Sequence, residues 1–166
     1  MKQPAVPSLH VMRQSILEKV PMTNTILVVD DSPSSVAGLV DAFAASGLTA
    51  AGAHGFADAL KMLEGVEPEL LVTGVRLGPY NGLHLLMRVR ALYPRAAAIV
   101  LGPADPMLAG DARALGAEAY LTTHSPEAVL FAALEILGRT RDDTDRLHLR
   151  ALGTGPVSPS QLGVRA

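Results

Sequence analysis

Thr25-Ile26-Leu27-Val28-Val29-Asp30-Asp31-Ser32-Pro33 decides the fold. Its first five residues form an unbroken apolar, β-branched run, the mark of a strand buried on both faces. The run stops at two aspartates. Ser32-Pro33 then offers an N-cap and a proline at the first helical position. Val36, Leu39, Val40 and Phe43 follow at i, i+3, i+4 and i+7, and Gly47 ends that helix. A strand passing straight into an amphipathic helix is one βα unit.

The unit returns along the chain. Leu48–Ala53 is a weaker second strand, and a helix over Phe56–Glu64 turns Phe56, Leu60 and Leu63 inward. Glu69–Thr73 is the third strand and runs into a Gly/Pro/Asn loop ending at Gly82. Leu85, Leu86, Val89 and Leu92 make the third helix, closed before Pro94. Ala96–Leu101 is the fourth strand, Asp105–Leu115 a poorer helix, and Ala117–Thr122 the fifth strand. Ser125-Pro126-Glu127 starts the last helix. Its inward face is Leu130, Ala133, Leu134 and Leu137, with Gly138 as C-cap. Five strands alternating with five helices over residues 25–138 predict an α/β, flavodoxin-like (βα)5 doubly wound parallel sheet of order 2-1-3-4-5. Ligands in such sheets sit at the carboxyl ends of the strands, so chemistry is sought there.

Hydrophobic residues are 49% of the chain and charged ones 18%, enough apolar material for one core with flanking segments. Fourteen basic against sixteen acidic residues give a formal charge of −2, which argues against a nucleic-acid partner. With no cysteine there is no disulfide, thiol nucleophile or Cys-based zinc site. No apolar run reaches the length of a membrane span, and Met1–Met22 lacks a signal-peptide h-region, so a cytoplasmic, membrane-free protein is expected. Residues 1–24 read as an extension, partly ordered or helical. Leu9, Met12, Ile16 and Val20 share one helical face, so a docking helix and a true start at Met22 stand beside the plain extension. Residues 139–166 read as a tail, largely disordered from Leu152, with some helical continuation before it. The residues after Arg139 are too few for a helix-turn-helix domain, so a stand-alone unit is expected.

Ile26-Leu27-Val28-Val29-Asp30-Asp31-Ser32, Leu77…Asn81-Gly82-Leu83 and Gly116-Ala117…Ala119-Tyr120-Leu121 make residues 25–138 resemble the CheY-like receiver domain of two-component response regulators. The resemblance implies five chemical positions. Two acidic residues after strand 1 and an aspartate ending strand 3 hold Mg²⁺, and that aspartate accepts a phosphoryl group from a histidine kinase. A Ser or Thr ending strand 4 and a Lys ending strand 5 bind phosphoryl oxygens. Such transfer depends on positioned cations and donors, and on a carboxylate able to form a mixed anhydride.

Carried over, the acidic pair is Asp30 and Asp31. The acceptor position is Gly74, fixed by its spacing to Gly82. The hydroxyl position is Gly102 and the lysine position is Thr123, followed by His124. The aromatic that reports switching in the family is kept as Tyr120. Three of the five positions have lost their chemistry while the scaffold survives.

The expectation is a pseudo-receiver with no enzymatic activity, not phosphorylated in the usual way. It would act through signalling proteins, a histidine kinase or another receiver or regulator. A homodimer through the helix 4–strand 5–helix 5 face is a further possibility the resemblance carries. The alternative is a small-ligand or divalent-metal sensor using the vacated strand-end pocket. Phosphorylation of Asp30 or Asp31 instead is disfavoured, because the cationic and hydroxyl partners are gone. No cofactor is expected beyond, at most, weak residual Mg²⁺ at Asp30 and Asp31. The plainer reading has Asp31 serving the first helix and Asp30 partly solvated, with one of the two carboxylates raised in pKa if they lie close. His124 is expected as a solvated strand-end histidine, with a charge substituting for the lost lysine as the sharper reading. Tyr120 is read either as simple edge packing or as part of a receiver held in one conformation.

Overall fold

The computed structural model describes residues 25–151, so the expectations for residues 1–24 and for the segment from Leu152 on lie outside the described residues. Strand β1 (Thr25–Asp30) leads into α1 (Pro33–Ala45), then β2 (Thr49–His54), α2 (Phe56–Leu63) and β3 (Leu70–Gly74). A short hairpin follows, β4 (Arg76–Leu77) and β5 (Tyr80–Asn81), before α3 (Gly82–Leu92). The chain closes with β6 (Ala97–Leu101), α4 (Pro106–Ala114), β7 (Ala119–Leu121) and α5 (Pro126–Ala151). The five-stranded sheet is parallel throughout, in the order β2-β1-β3-β6-β7. With the hairpin set aside, this is the predicted order.

Because strand side chains alternate, the buried runs feed two cores. Leu27, Val29, Leu71, Ala98 and Val100 meet Leu63 of α2, Leu86 and Val89 of α3 and Ala112 of α4. Ile26, Val28, Leu70, Val72 and Ile99 meet Val36, Leu39 and Phe43 of α1, with Val129, Ala133 and Ile136 of α5. Each fully buried Leu, Ile or Phe contributes roughly 1.5–3 kcal/mol.

Caps place the helix starts at the carboxyl edge of the sheet. Ser32 Oγ accepts from Ser35 N–H at 3.5 Å, Asn81 Oδ1 from Leu83 N–H at 2.8 Å, and Asp105 Oδ1 from Met107 N–H at 2.8 Å. At the amino edge, Glu118 Oε2 accepts from Ala98 N–H at 2.6 Å while Oε1 pairs with Arg90 at 2.9 Å. Arg90 also donates to the carbonyls of Gly116 and Pro94. This clamp fastens α3 to β6 and β7 at the end away from the strand-end loops.

The hairpin is a departure from the predicted loop. Arg76 pairs with Asn81 and Leu77 with Tyr80 around Gly78, whose φ is 63°. Tyr80 stacks on Phe56 at 4.9 Å between centroids, and Phe56, half-buried, packs against the core. Leu92, expected inward, is exposed. Tyr93 packs on the core instead, and its hydroxyl donates to the Leu63 carbonyl at 2.7 Å. Leu134 is likewise exposed, and Ile136 takes the inward place. Gly138 is not a C-cap, since α5 runs through it to Ala151. An interior glycine costs a helix only about 1 kcal/mol against alanine, and no proline lies between Gly138 and Ala151 to stop this one. Thr140 and Thr144 hydroxyls donate to the carbonyls four residues back, at 3.0 and 2.9 Å. Among the described residues, no helix is long and apolar enough to cross a membrane.

Candidate functional site

A cleft of about 400 Å³ opens at the carboxyl edge of the sheet. Asp30 and Asp31 reach it from the end of β1, Gly74 from the end of β3, Gly102 from just past β6, and His124 from just past β7. The sheet order alone brings these together. β3 lies between β1 and β6, so Gly74 sits at the centre of the row.

The two aspartates differ sharply. Asp30 is 4% exposed, whereas Asp31 is exposed. Asp30 Oδ1 accepts from Ser32 N–H at 2.9 Å, and Oδ2 lies 3.5 Å from His124 Nε2. Asp30 is thus buried where a partly solvated carboxylate was expected. The helix start is served by Ser32 and, through the Ser32 amide, by Asp30. Burial pushes the Asp30 carboxyl above its usual range, and neighbouring Asp31 adds to this. The Ser32 amide and His124 pull the other way. A carboxyl raised on folding contributes stability that is full below its unfolded pKa and lost as pH rises through its folded pKa. Asp30→Asn removes that loss. Urea unfolding is therefore expected to show the variant more stable than wild type at about pH 8, with the gap closing near pH 4. A gap that widens in acid would refute this sign.

Gly74 faces the Asp30 carboxylate. A Cβ built there would stand 3.1 Å from Asp30 Oδ2 and 3.6 Å from its Cγ. The carboxylate held by Ser32 and His124 thus crowds the space in front of the glycine.

Gly102 is buried, and the half-buried Tyr120 fills the room beside it. A Cβ at Gly102 would lie 2.7 Å from Val75 Cγ2 and 2.9 Å from Tyr120 Cζ, and closer still to the Tyr120 hydroxyl. That hydroxyl donates to the Pro103 carbonyl at 2.7 Å. Thr123 does not line the cleft. It is exposed, and its hydroxyl accepts from Ser125 N–H at 3.0 Å, at the start of α5. Thr122 and His124 line the cleft on either side of it.

The residue that sequence reasoning undervalued is His124. Its place directly after the lost lysine was the available signal. Its approach to Asp30 depends on β1 and β7 ending at one edge with two strands between them, which no local pattern shows. His84 is exposed on α3, as a helical surface residue.

The Mg²⁺ implied by the resemblance does not fit these donors. Asp30 faces His124 rather than a second carboxylate of β3, Gly74 offers no side chain, and among the described residues no three His, Cys, Asp or Glu side chains gather as a metal requires. The cleft retains one buried carboxylate with a facing imidazole. At the three remaining family positions it offers neither a carboxylate, a hydroxyl nor an ammonium group.

No curated protein matches the chain. Solved structures do. A CheY-like receiver domain protein from Methanospirillum hungatei is 21% identical, with a TM-score of 0.67 over 72% of this chain and 97% of that one. The chemotaxis regulator CheY4 of Vibrio cholerae is 21% identical, with a TM-score of 0.59 over 70% and 97%. A response regulator from Burkholderia pseudomallei, solved with a phosphorylated aspartic acid, a calcium ion and citrate, is 25% identical, with a TM-score of 0.61 over 76% and 82%. The response regulator receiver domain family matches residues 26–135, nearly the whole of the described α/β unit. With that span matched and the parallel sheet of the predicted order beneath it, the chain belongs to the response regulator receiver domain family.

Proposed function

We propose that this receiver domain is a pseudo-receiver of two-component signalling. It takes no phosphoryl group by the usual route, has no catalytic role of its own, and acts in the cytoplasm by binding other signalling proteins. The observation that carries the reading is Gly74. The position that the resemblance assigns to the acceptor has no side chain, and Asp30 crowds the place where one would begin. The Burkholderia relative holds a phosphorylated aspartic acid. Here the cleft lacks that carboxylate and both family partners of the phosphoryl group. The partners proposed are a histidine kinase or another receiver or regulator. A homodimer would use the α4–β7–α5 face, the counterpart of the face named from the resemblance.

The test is incubation with acetyl phosphate and Mg²⁺, followed by intact mass spectrometry, beside beryllofluoride titration followed by amide NMR. No phosphoryl adduct is expected, nor any saturable shift at Gly74, Gly102 or Thr123. A stoichiometric adduct or saturable shifts at the cleft would overturn the reading. The cleft itself favours a second reading, a small-ligand sensor. Its metal version is the weaker one, because the donor set is incomplete. Saturable shifts confined to the cleft with a small molecule, and none with beryllofluoride, would select that reading.

A further inference from the structure

We infer that Gly102 and Tyr120 form a steric lock that holds the 102–105 loop, β7 and the start of α4 in a single arrangement. The lock is a matter of packing and stands independently of whether the cleft accepts phosphate.

The packing leaves little freedom. Gly102 is buried, and even a methyl group there overlaps the Tyr120 phenol and Val75 Cγ2. A Cβ at position 102 therefore requires the ring, and Val75 with it, to shift from its present place. The Tyr120 hydroxyl donates to Pro103, the next residue of the same loop, and so holds the ring down on the glycine that admits it. The loop is fixed from other sides as well. Gly102 N–H donates to the Leu121 carbonyl at 3.0 Å, and Asp105 N–H to the Pro103 carbonyl at 2.8 Å. Asp105 then caps α4 through Met107 and Leu108. A continuous run of contacts thus leads from β7 through Tyr120 into the loop and on to the first turn of α4. Gly102 and Pro103 also line the cleft, so the ring backs one of its walls.

A movable aromatic switch needs two places for its ring of comparable free energy. Here the inner place is filled and hydrogen-bonded because residue 102 is glycine. Nothing that enters the cleft needs to draw the ring in. The ring's position therefore follows residue 102 and nothing else in the cleft.

The experiment labels the full chain with 3-fluorotyrosine at its three tyrosines and assigns the Tyr120 signal by its loss in Tyr120→Phe. The wild type is expected to show one narrow Tyr120 resonance, less accessible to a soluble paramagnetic quencher than in the unfolded chain. In Gly102→Ala that resonance should move toward its unfolded position and become more accessible to the quencher. A Tyr120 resonance that keeps its shift and protection in Gly102→Ala overturns the lock, as does a wild-type signal split between two exchanging positions. Urea unfolding supplies the second readout. The fall in midpoint caused by Gly102→Ala should shrink to less than about half in a Tyr120→Ala background, Val75 accounting for the remainder. If Gly102→Ala alone fails to fold while the double variant folds, the lock is supported. A double variant that fares no better than the single overturns it. Neither readout involves phosphoryl chemistry, so failure here and failure of the pseudo-receiver reading are separate results.

Discussion

Gly82→Ala is expected to lower stability by about 3 kcal/mol or more, the largest effect of any single methyl group on this fold. Gly82 is buried at the first position of α3, and its N–H donates to the Val75 carbonyl at 2.7 Å. A Cβ there would lie 2.9 Å from the Gly74 carbonyl carbon and 2.9 Å from Thr73 Oγ1, and closer still to the Gly74 carbonyl oxygen. None of these atoms is the loose end of a flexible side chain. Thr73 is fully buried, its hydroxyl donates to that same Gly74 carbonyl at 3.1 Å, and Gly74 is in the β3–β6 ladder. Relief would require α3 to back away from the end of β3, opening the core around Leu83, Leu85 and Leu86. Gly110→Ala is the matched control. That glycine lies within α4 with nothing within 4 Å of its built Cβ, so alanine should leave stability unchanged or raise it by about 1 kcal/mol. Urea unfolding of both variants checks the pair. Equal stabilities for Gly82→Ala and wild type would refute the close approach.

Gly74→Asp carries the second large effect, and its direction is against restoration. The new side chain's Cβ would stand 3.1 Å from Asp30 Oδ2, with exposed Asp31 nearby and the His124 imidazole facing Asp30. Thr123 adds no charge. Two carboxyls crowded without a metal cannot both ionise cheaply, so the folded-state pKa of the pair rises above its unfolded value. The pair then costs no stability below about pH 4, and the cost grows as pH rises through the folded pKa. The expected loss is about 2 kcal/mol at neutral pH, closing in acid. Millimolar Mg²⁺ should recover much of it, because the substitution creates the three-carboxylate donor set that the wild type lacks and binding to the folded state stabilises it. Wild type should respond little to the same ion. Gly102 and Thr123 stay unrepaired, so acetyl phosphate should still give little or no adduct. Unfolding midpoints at about pH 5 and pH 8, each with and without Mg²⁺, provide the check. A variant as stable as wild type at both values without the ion would sink the crowding argument.

The fold was legible because its signals are local and repeated. Thr25–Val29 and Ala97–Leu101 are apolar enough to be central strands in any context, and Ser32-Pro33, Gly47 and Ser125-Pro126 mark turns and helix starts through their own backbone chemistry. The spacing from Gly74 to Gly82 fixed the acceptor position through the resemblance, and the structure shows the two glycines in close approach. What failed depended on distant partners. The unlike environments of Asp30 and Asp31 follow from which of the two lies beneath His124, a residue more than ninety positions away. The β4–β5 hairpin is too short to carry a strand pattern, and it is accompanied by a ring stack between Tyr80 and Phe56 that no periodicity encodes. Tyr120 was recognisable as an edge aromatic. That it fills the room left at Gly102 is visible only once β6 and β7 are side by side. Gly138 misled because a glycine is a good stop signal only where the following residues favour a turn.

The persistence of α5 beyond Gly138 has a mechanical consequence. The last residue that the helix buries is Leu137, and it continues to Ala151, roughly 20 Å farther at 1.5 Å per residue. A domain whose central strands are only five or six residues long therefore carries a stiff pointer about as long as the sheet is tall. A tilt of about 10° at the root of such a rod sweeps its tip through about 4 Å, a displacement comparable to the distance between adjacent Cα atoms. Small adjustments where α5 meets α1 and the sheet are thereby enlarged at a point well clear of the domain.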